Sequence, residues 1–267
     1  MVTIWLGIMI RVSAGLIAVV VVILIFSGIT VYSGEFPPAS VVESESMEHS
    51  ATWTWGTINV GDIVIVKYVP DPVKDVVTYV TGRETNFSTY GEYGDVILYR
   101  DPNGETVIHR AMFYLSWDNG KPVVDGYHNQ SWLSIYGFNI IIYDCGYSHR
   151  NLLVNVSAFV NESGFITMGD HNLATSPLYD SMYNAYIAAD QNVKITPSPV
   201  IGKQIVGIAR GQIPWFGLIK LNIMRAEGDW PYYNEVPANS YLYLVISLGV
   251  IFGAIFTPYK SHGKKRK

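Results

Sequence analysis

Two uncharged apolar runs frame the chain, and between them the apolar positions come in short, β-branched bursts. The first run, Val12 to Tyr32 (VSAGLIAVVVVILIFSGITVY), holds 21 residues without a charge. As a helix it would extend about 31 Å, close to the thickness of a bilayer's hydrocarbon core. The second run, Tyr241 to Thr257 (YLYLVISLGVIFGAIFT), is shorter. It is preceded by Tyr232 and Tyr233, begins with Tyr241 and Tyr243, and is followed by Tyr259 and Lys260, residue types suited to membrane interfaces. The pattern predicts a transmembrane anchor over 12–32 and a second transmembrane helix over 239–258. The alternative for the first run is a cleaved signal peptide, but it is too long for an ordinary apolar h-region and no positive charge precedes Arg11. The alternative for the second is a buried core helix, against which the basic tail KSHGKKRK stands as a stop-transfer end.

The segment between them, 33–238, reads as mainly β. Short runs bounded by Gly, Asp, Asn and Pro predict strands at Ile63–Val66, Val96–Tyr99, Thr106–Leu115, Phe165–Met168 and Gln204–Ala209. Only Ser181–Asp190 (SMYNAYIAAD) suggests an amphipathic helix. Segments 70–93 and 116–163 are rich in Asn, Asp, Gly and aromatics and read as insertions projecting from a smaller β-core. Asp229–Asn239 (DWPYYNEVPAN) predicts an extended linker at the membrane interface, and no internal repeat is evident.

Charge then sets an orientation. Of the 18 Lys and Arg, Arg11 and five tail residues flank the two runs, leaving 12 basic residues in the middle against all 22 acidic ones. Positive ends stay in the cytosol, which predicts a cytosolic N-terminus (1–11), a cytosolic tail (259–267) and an extracytosolic middle. A middle with ten surplus negative charges disfavours nucleic acid or anionic lipid as its partner. Four Asn-x-Ser sequons, at Asn86, Asn129, Asn155 and Asn161, all fall in that middle. The single cysteine, Cys145, excludes an intrachain disulfide and a cysteine metal cage. No phosphate loop, paired-carboxylate hydrolase signature or histidine metal motif is present.

Serine attack on a peptide needs a hydroxyl, a base and donors for the oxyanion. Ser44-Glu45-Ser46-Met47-Glu48 follows the apolar pair Val41-Val42 and begins about a dozen residues beyond the first run. Twelve extended residues reach at most about 40 Å, so Ser46 can lie near the membrane surface. Taken alone it is a polar turn. Apart from His262 in the tail, the candidate bases are His49, His109, His128, His149 and His171. His109 lies within an apolar strand pattern, where it is either a general base or a buried histidine with one acceptor.

Taken in order, five boxes resemble those of type I signal peptidases of the archaeal and endoplasmic-reticulum branch, in which histidine replaces the bacterial lysine base. They are Ser44–Glu48, Gly61-Asp62-Ile63-Val64, Val107-Ile108-His109-Arg110, Thr167-Met168-Gly169-Asp170-His171-Asn172 and Gln204–Gly217 (QIVGIARGQIPWFG), about an eighth of the chain. The resemblance implies a signal-peptidase-like β-core with an inserted region and a helix at each end. It makes Ser46 the nucleophile and His109 the general base, with the Ser44 hydroxyl and the Ser46 N–H in the oxyanion hole. Asp170 matches the first acid of the Gly-Asp-Asn-Asn box. Asp180 is the better candidate for the second, and Asp190, farther into the next segment, the poorer.

The sequence also departs from the family. Glu45 stands where glycine is usual, His49 where proline is common, Met168 for a frequent lysine or arginine, and His171 for the first asparagine. Arg110 reads either as a neutraliser of a nearby carboxylate or as a solvated strand residue; Trp215 and Phe216 read either as bilayer contacts or as core. The function implied is removal of signal peptides from preproteins at the translocon exit, at the cell membrane, by acyl transfer without a cofactor. The rival reading is a catalytically inactive membrane glycoprotein that binds or serves as a partner subunit.

Overall fold

A computed structural model describes residues 2–256, with side chains described from Leu16 (Ala18 excepted) to Ala254. The helix α1 (Val2–Ser33) leads to the strand β1 (Ala39–Val41) and, after a long turn, to β2 (Ile63–Lys67). Two short helices, α2 (Pro72–Asp75) and α3 (Tyr79–Thr85), and a hairpin, β3 (Ser88–Thr89) and β4 (Glu92–Tyr93), precede β5 (Val96–Arg100) and the long β6 (Thr106–Asp118). Then come β7 (Lys121–Val124), β8 (Leu133–Tyr136), β9 (Asn139–Cys145), β10 (Arg150–Asn155), β11 (Gly164–Met168), α4 (Asp170–Thr175), β12 (Tyr179–Asp180) and β13 (Ala185–Tyr186). The described part closes with β14 (Ile205–Ile213), α5 (Leu218–Glu227) and α6 (Ser240–Phe256).

The first sheet runs β1-β2-β14-β5-β6-β11, with β7 also on β6; the second runs β12-β13-β10-β9-β8. Pairing is antiparallel except between β10 and β13. Strand alternation explains the packing of β5. Val96 and Leu98 enter one apolar cluster with Val64 and Met47, while Ile97 and Tyr99 enter another with Phe165 and Ile208. Each strand expected from the sequence is present at its expected place, with β6 and β14 running three and four residues further.

Three expectations change. The fold is mixed, about 31% strand and 30% helix, rather than mainly β. The expected helix at Ser181–Asp190 is absent: Asn184 takes a left-handed turn (φ 49°), and Ala185 and Tyr186 pair back onto Asp180 and Tyr179. Segment 116–163 does not merely project, because its Ile140, Ile142, Leu152 and Val154 share one core with Met112, Phe113 and Leu115 of β6. Among the described residues no helix is long and apolar enough to cross a membrane, so neither expected span is established by the fold. The tail 259–267 and His262 lie outside the described residues.

Candidate active site

Beyond β1 the chain passes into a single 3₁₀ turn, Glu45–Met47, entered by Ser44 in extended conformation (φ −134°, ψ 161°) and closed by Glu48 N–H donating to the Glu45 carbonyl at 2.8 Å. Packing pins this turn on two sides. Met47, 1% exposed, is anchored in the cluster of Val42, Val64, Val66 and Leu98. Gly169, just before α4, meets the other side: a Cβ there would lie 2.5 Å from the Ser46 carbonyl oxygen. That approach suits glycine alone. The Ser44 hydroxyl donates to Ser46 Oγ at 3.5 Å.

His109 projects from β6, opposite Ile97 of β5, and is buried. Its Nδ1 lies 2.7 Å from Asp190 Oδ2. The same oxygen accepts from Tyr99 Oη of β5 at 2.9 Å and from Thr167 Oγ1 of β11 at 2.6 Å. Burial, and then the Asp190 charge, push the Tyr99 phenol pKa up, so it stays a donor. Asp190 is held in turn by its own N–H donating to the Thr167 carbonyl at 2.9 Å. A carboxylate on Nδ1 selects the tautomer that leaves Nε2 free to take a proton.

This corrects the choice of acid. Asp180 accepts from the N–H groups of Met182 and Tyr183 at 2.9 and 3.2 Å and caps a turn at the end of β12, away from His109. Asp190 is the poorer candidate on chain distance alone, yet the loop after β13 returns it beneath β5, β6 and β11. Asp170 is also not a partner of His109. It takes a two-pronged contact from Arg110, Nε to Oδ1 and Nη2 to Oδ2, both at 2.7 Å, and His49 Nε2 lies 2.9 Å from Oδ2. Burial works against this carboxylate, but Arg110 and His49 outweigh it and hold its pKa down to about 2. Arg110, 1% exposed, also donates to the carbonyls of Thr89, Glu92, Tyr93 and Gly94, which excludes the solvated reading. The His49 ring stacks on Tyr147, centroids 4.3 Å apart.

The remaining histidines are placed as follows. His171 Nδ1 lies 3.1 Å from Tyr147 Oη, behind the 3₁₀ turn. His149 pairs with exposed Asp144, and His128 is exposed. Trp215 and Phe216 are half-buried against Leu218, Trp230 and Leu244, and Trp215 Nε1 donates to Ser247 of α6 at 3.0 Å.

Ser44, Ser46 and His109 line one cleft of about 780 Å³, with Val41 and Val42 on one wall and Thr106–Ile108 on another. Among the described residues, Ser46 makes no hydrogen bond with His109. The cleft meets a second one of about 530 Å³, which shares Ser40 and Thr106 and reaches Glu35 and Phe36 after α1. Sequence reasoning missed Asp190, Tyr99 and Thr167 as a unit. The available signal was an acid closing an apolar run, Ile187-Ala188-Ala189-Asp190, because a buried carboxylate must be satisfied.

No protein-family model matches the chain, and no curated protein is similar to it.

Proposed function

We propose that this chain is a serine endopeptidase of the type I signal peptidase kind, anchored in a membrane, with Ser46 as nucleophile and His109 as base. The observation that carries the reading is the buried His109–Asp190 pair opening onto the cleft that also holds Ser44 and Ser46. In this mechanism the Ser46 hydroxyl attacks the scissile carbonyl and passes its proton to His109 Nε2. Asp190 stabilises the imidazolium, as a buried carboxylate does in a triad. The Ser46 N–H and the Ser44 hydroxyl donate to the oxyanion. His109 returns the proton to the leaving amine, and water then releases the acyl group from Ser46. An extended substrate, the signal peptide of a preprotein, would lie along β1, whose outer edge pairs with no strand among the described residues.

Anchoring belongs to the same proposal. Leu16, Ile17 and every residue from Val19 to Phe26 are 46–65% exposed, so α1 is apolar around its whole circumference. Such a surface suits lipid rather than water. In α6, Leu242, Val245, Ile246, Val250 and Phe252 are similarly open. Both termini would then be cytosolic and the catalytic unit extracytosolic.

The second reading, an inactive partner subunit, is favoured by the missing Ser46–His109 hydrogen bond and by Glu45 beside the nucleophile. Purified wild type, Ser46→Ala and His109→Ala, assayed on a preprotein, decide between the two. Processing by wild type alone supports the peptidase; equal processing by all three, or none by wild type, removes it.

A further inference from the structure

Ser44 is the N-cap of the 3₁₀ turn and serine is among the best residues at that position, yet its side chain makes no capping hydrogen bond. The Glu45 N–H instead donates to Glu235 Oε2 at 2.9 Å, from 190 residues away. Glu235 sits in the strap 229–239 between α5 and α6. The strap fastens the chain on both sides of Ser46. Ahead of it, Trp230 Nε1 donates to the Glu43 carbonyl at 2.9 Å, and Lys220 of α5 lies 3.4 Å from the Glu43 carboxylate. Behind it, Ala238 N–H donates to Ala51 at 3.0 Å, and Ala238 bridges Thr52. Trp230, 2% exposed, shares a cluster with Leu218, Leu221 and Leu244 of α6, while Asp229, Pro231 and Tyr232 form a wall of the cleft.

We infer that Glu235 is a positioning residue for Ser46, taking over the capping task so that the Ser44 hydroxyl stays in the cleft. The inference rests on the peptidase reading. Anchoring the Glu45 amide fixes the Ser44–Glu45 peptide plane, and so holds the start of the turn from which the Ser46 N–H projects. A Ser44 hydroxyl recruited to the Ser46 or Met47 amide, the two an N-cap side chain reaches, would be lost to the oxyanion.

The test uses full-length wild type, Glu235→Ala, Glu235→Gln and Ser46→Ala, purified in detergent. It measures kcat and KM on a preprotein, together with hydrogen exchange at the Glu45 amide. Glu235→Ala is expected to lower kcat about 10–100-fold, as loss of an oxyanion donor's alignment does, with KM within about threefold. Glu235→Gln keeps an acceptor for the Glu45 N–H and is expected to stay within about threefold of wild type and to keep the amide protected. Wild-type kcat in Glu235→Ala, or a Gln variant as impaired as the Ala variant, overturns the inference while leaving the peptidase intact. Wild type no better than Ser46→Ala overturns the peptidase reading itself, and the positioning role with it.

Discussion

Asp190 gathers three donors, from His109, Tyr99 and Thr167, on a single carboxylate oxygen. An arrangement of that kind sets the tautomer and the tilt of the imidazole more than it binds substrate. Asp190→Asn is therefore expected to reduce kcat about 10²–10⁴-fold with little change in KM, whereas Asp180→Asn should remain near wild type; preprotein kinetics on the two variants check this. A second buried acid, Asp170, serves structure. Removing the Asp170 carboxylate leaves the Arg110 guanidinium buried without its partner, so Asp170→Ala should cost about 3–5 kcal/mol, read as a large fall in Tm. His109 could be singled out in the sequence because a titratable residue interrupts an apolar strand. Its acid could not, because contact between residues 109 and 190 is created by the folded path of the loop after β13 and not by local spacing. Arg110 remained ambiguous for the same reason: its burial depends on four carbonyls of the hairpin β3–β4 and the turn after it.

At the scale of an element, the 3₁₀ turn carries its own pH response. Glu48, which ends it, is 3% exposed and accepts from the Val60 N–H at 2.8 Å. Burial, opposed by that bond and reinforced by Glu45, Asp62 and Glu235, pushes its pKa up to about 8 from 4.5. The folded state therefore retains a proton that the unfolded chain releases. The resulting stability is fully present below pH 4.5 and is lost as pH rises to about 8. Within that window the loss approaches about 1.4 kcal/mol for each pH unit. Glu48→Gln, which cannot ionise, should flatten this slope, so the variant's Tm gains on wild type between about pH 5 and 8; paired melting curves across that range measure it. The strands around the turn were legible because β-branched runs alternate between two faces. The second sheet was not, because its short strands lie in a segment whose Asn, Gly and aromatic content reads as loop. The pairing of β12 with β13 defeated the helical pattern at 181–190, where left-handed Asn184 reverses the chain.

The whole molecule joins a site made from remote parts of the chain to two helices whose apolar sides are open. The anchoring proposal expects the intact protein to stay with the membrane pellet after alkaline carbonate extraction, and release into the supernatant would contradict it. Both helices were legible as uncharged runs, since composition alone marks them. Their connection to the site was not, because the strap's hold on Glu43, Glu45 and residues 51–53 depends on the folded path of 229–239.

That path bears on the order in which the protein is made. Ser46 leaves the ribosome long before His109, Asp190 comes much later, and Glu235 later still. On the peptidase reading, a nascent chain presents a nucleophile without its base until residue 109 and without its acid until residue 190. Full cutting ability would arrive only when the last segment before α6 has been threaded into place, so a chain interrupted before Asp190 would lack its acid and one interrupted before Glu235 would be a slowed protease rather than a loose one.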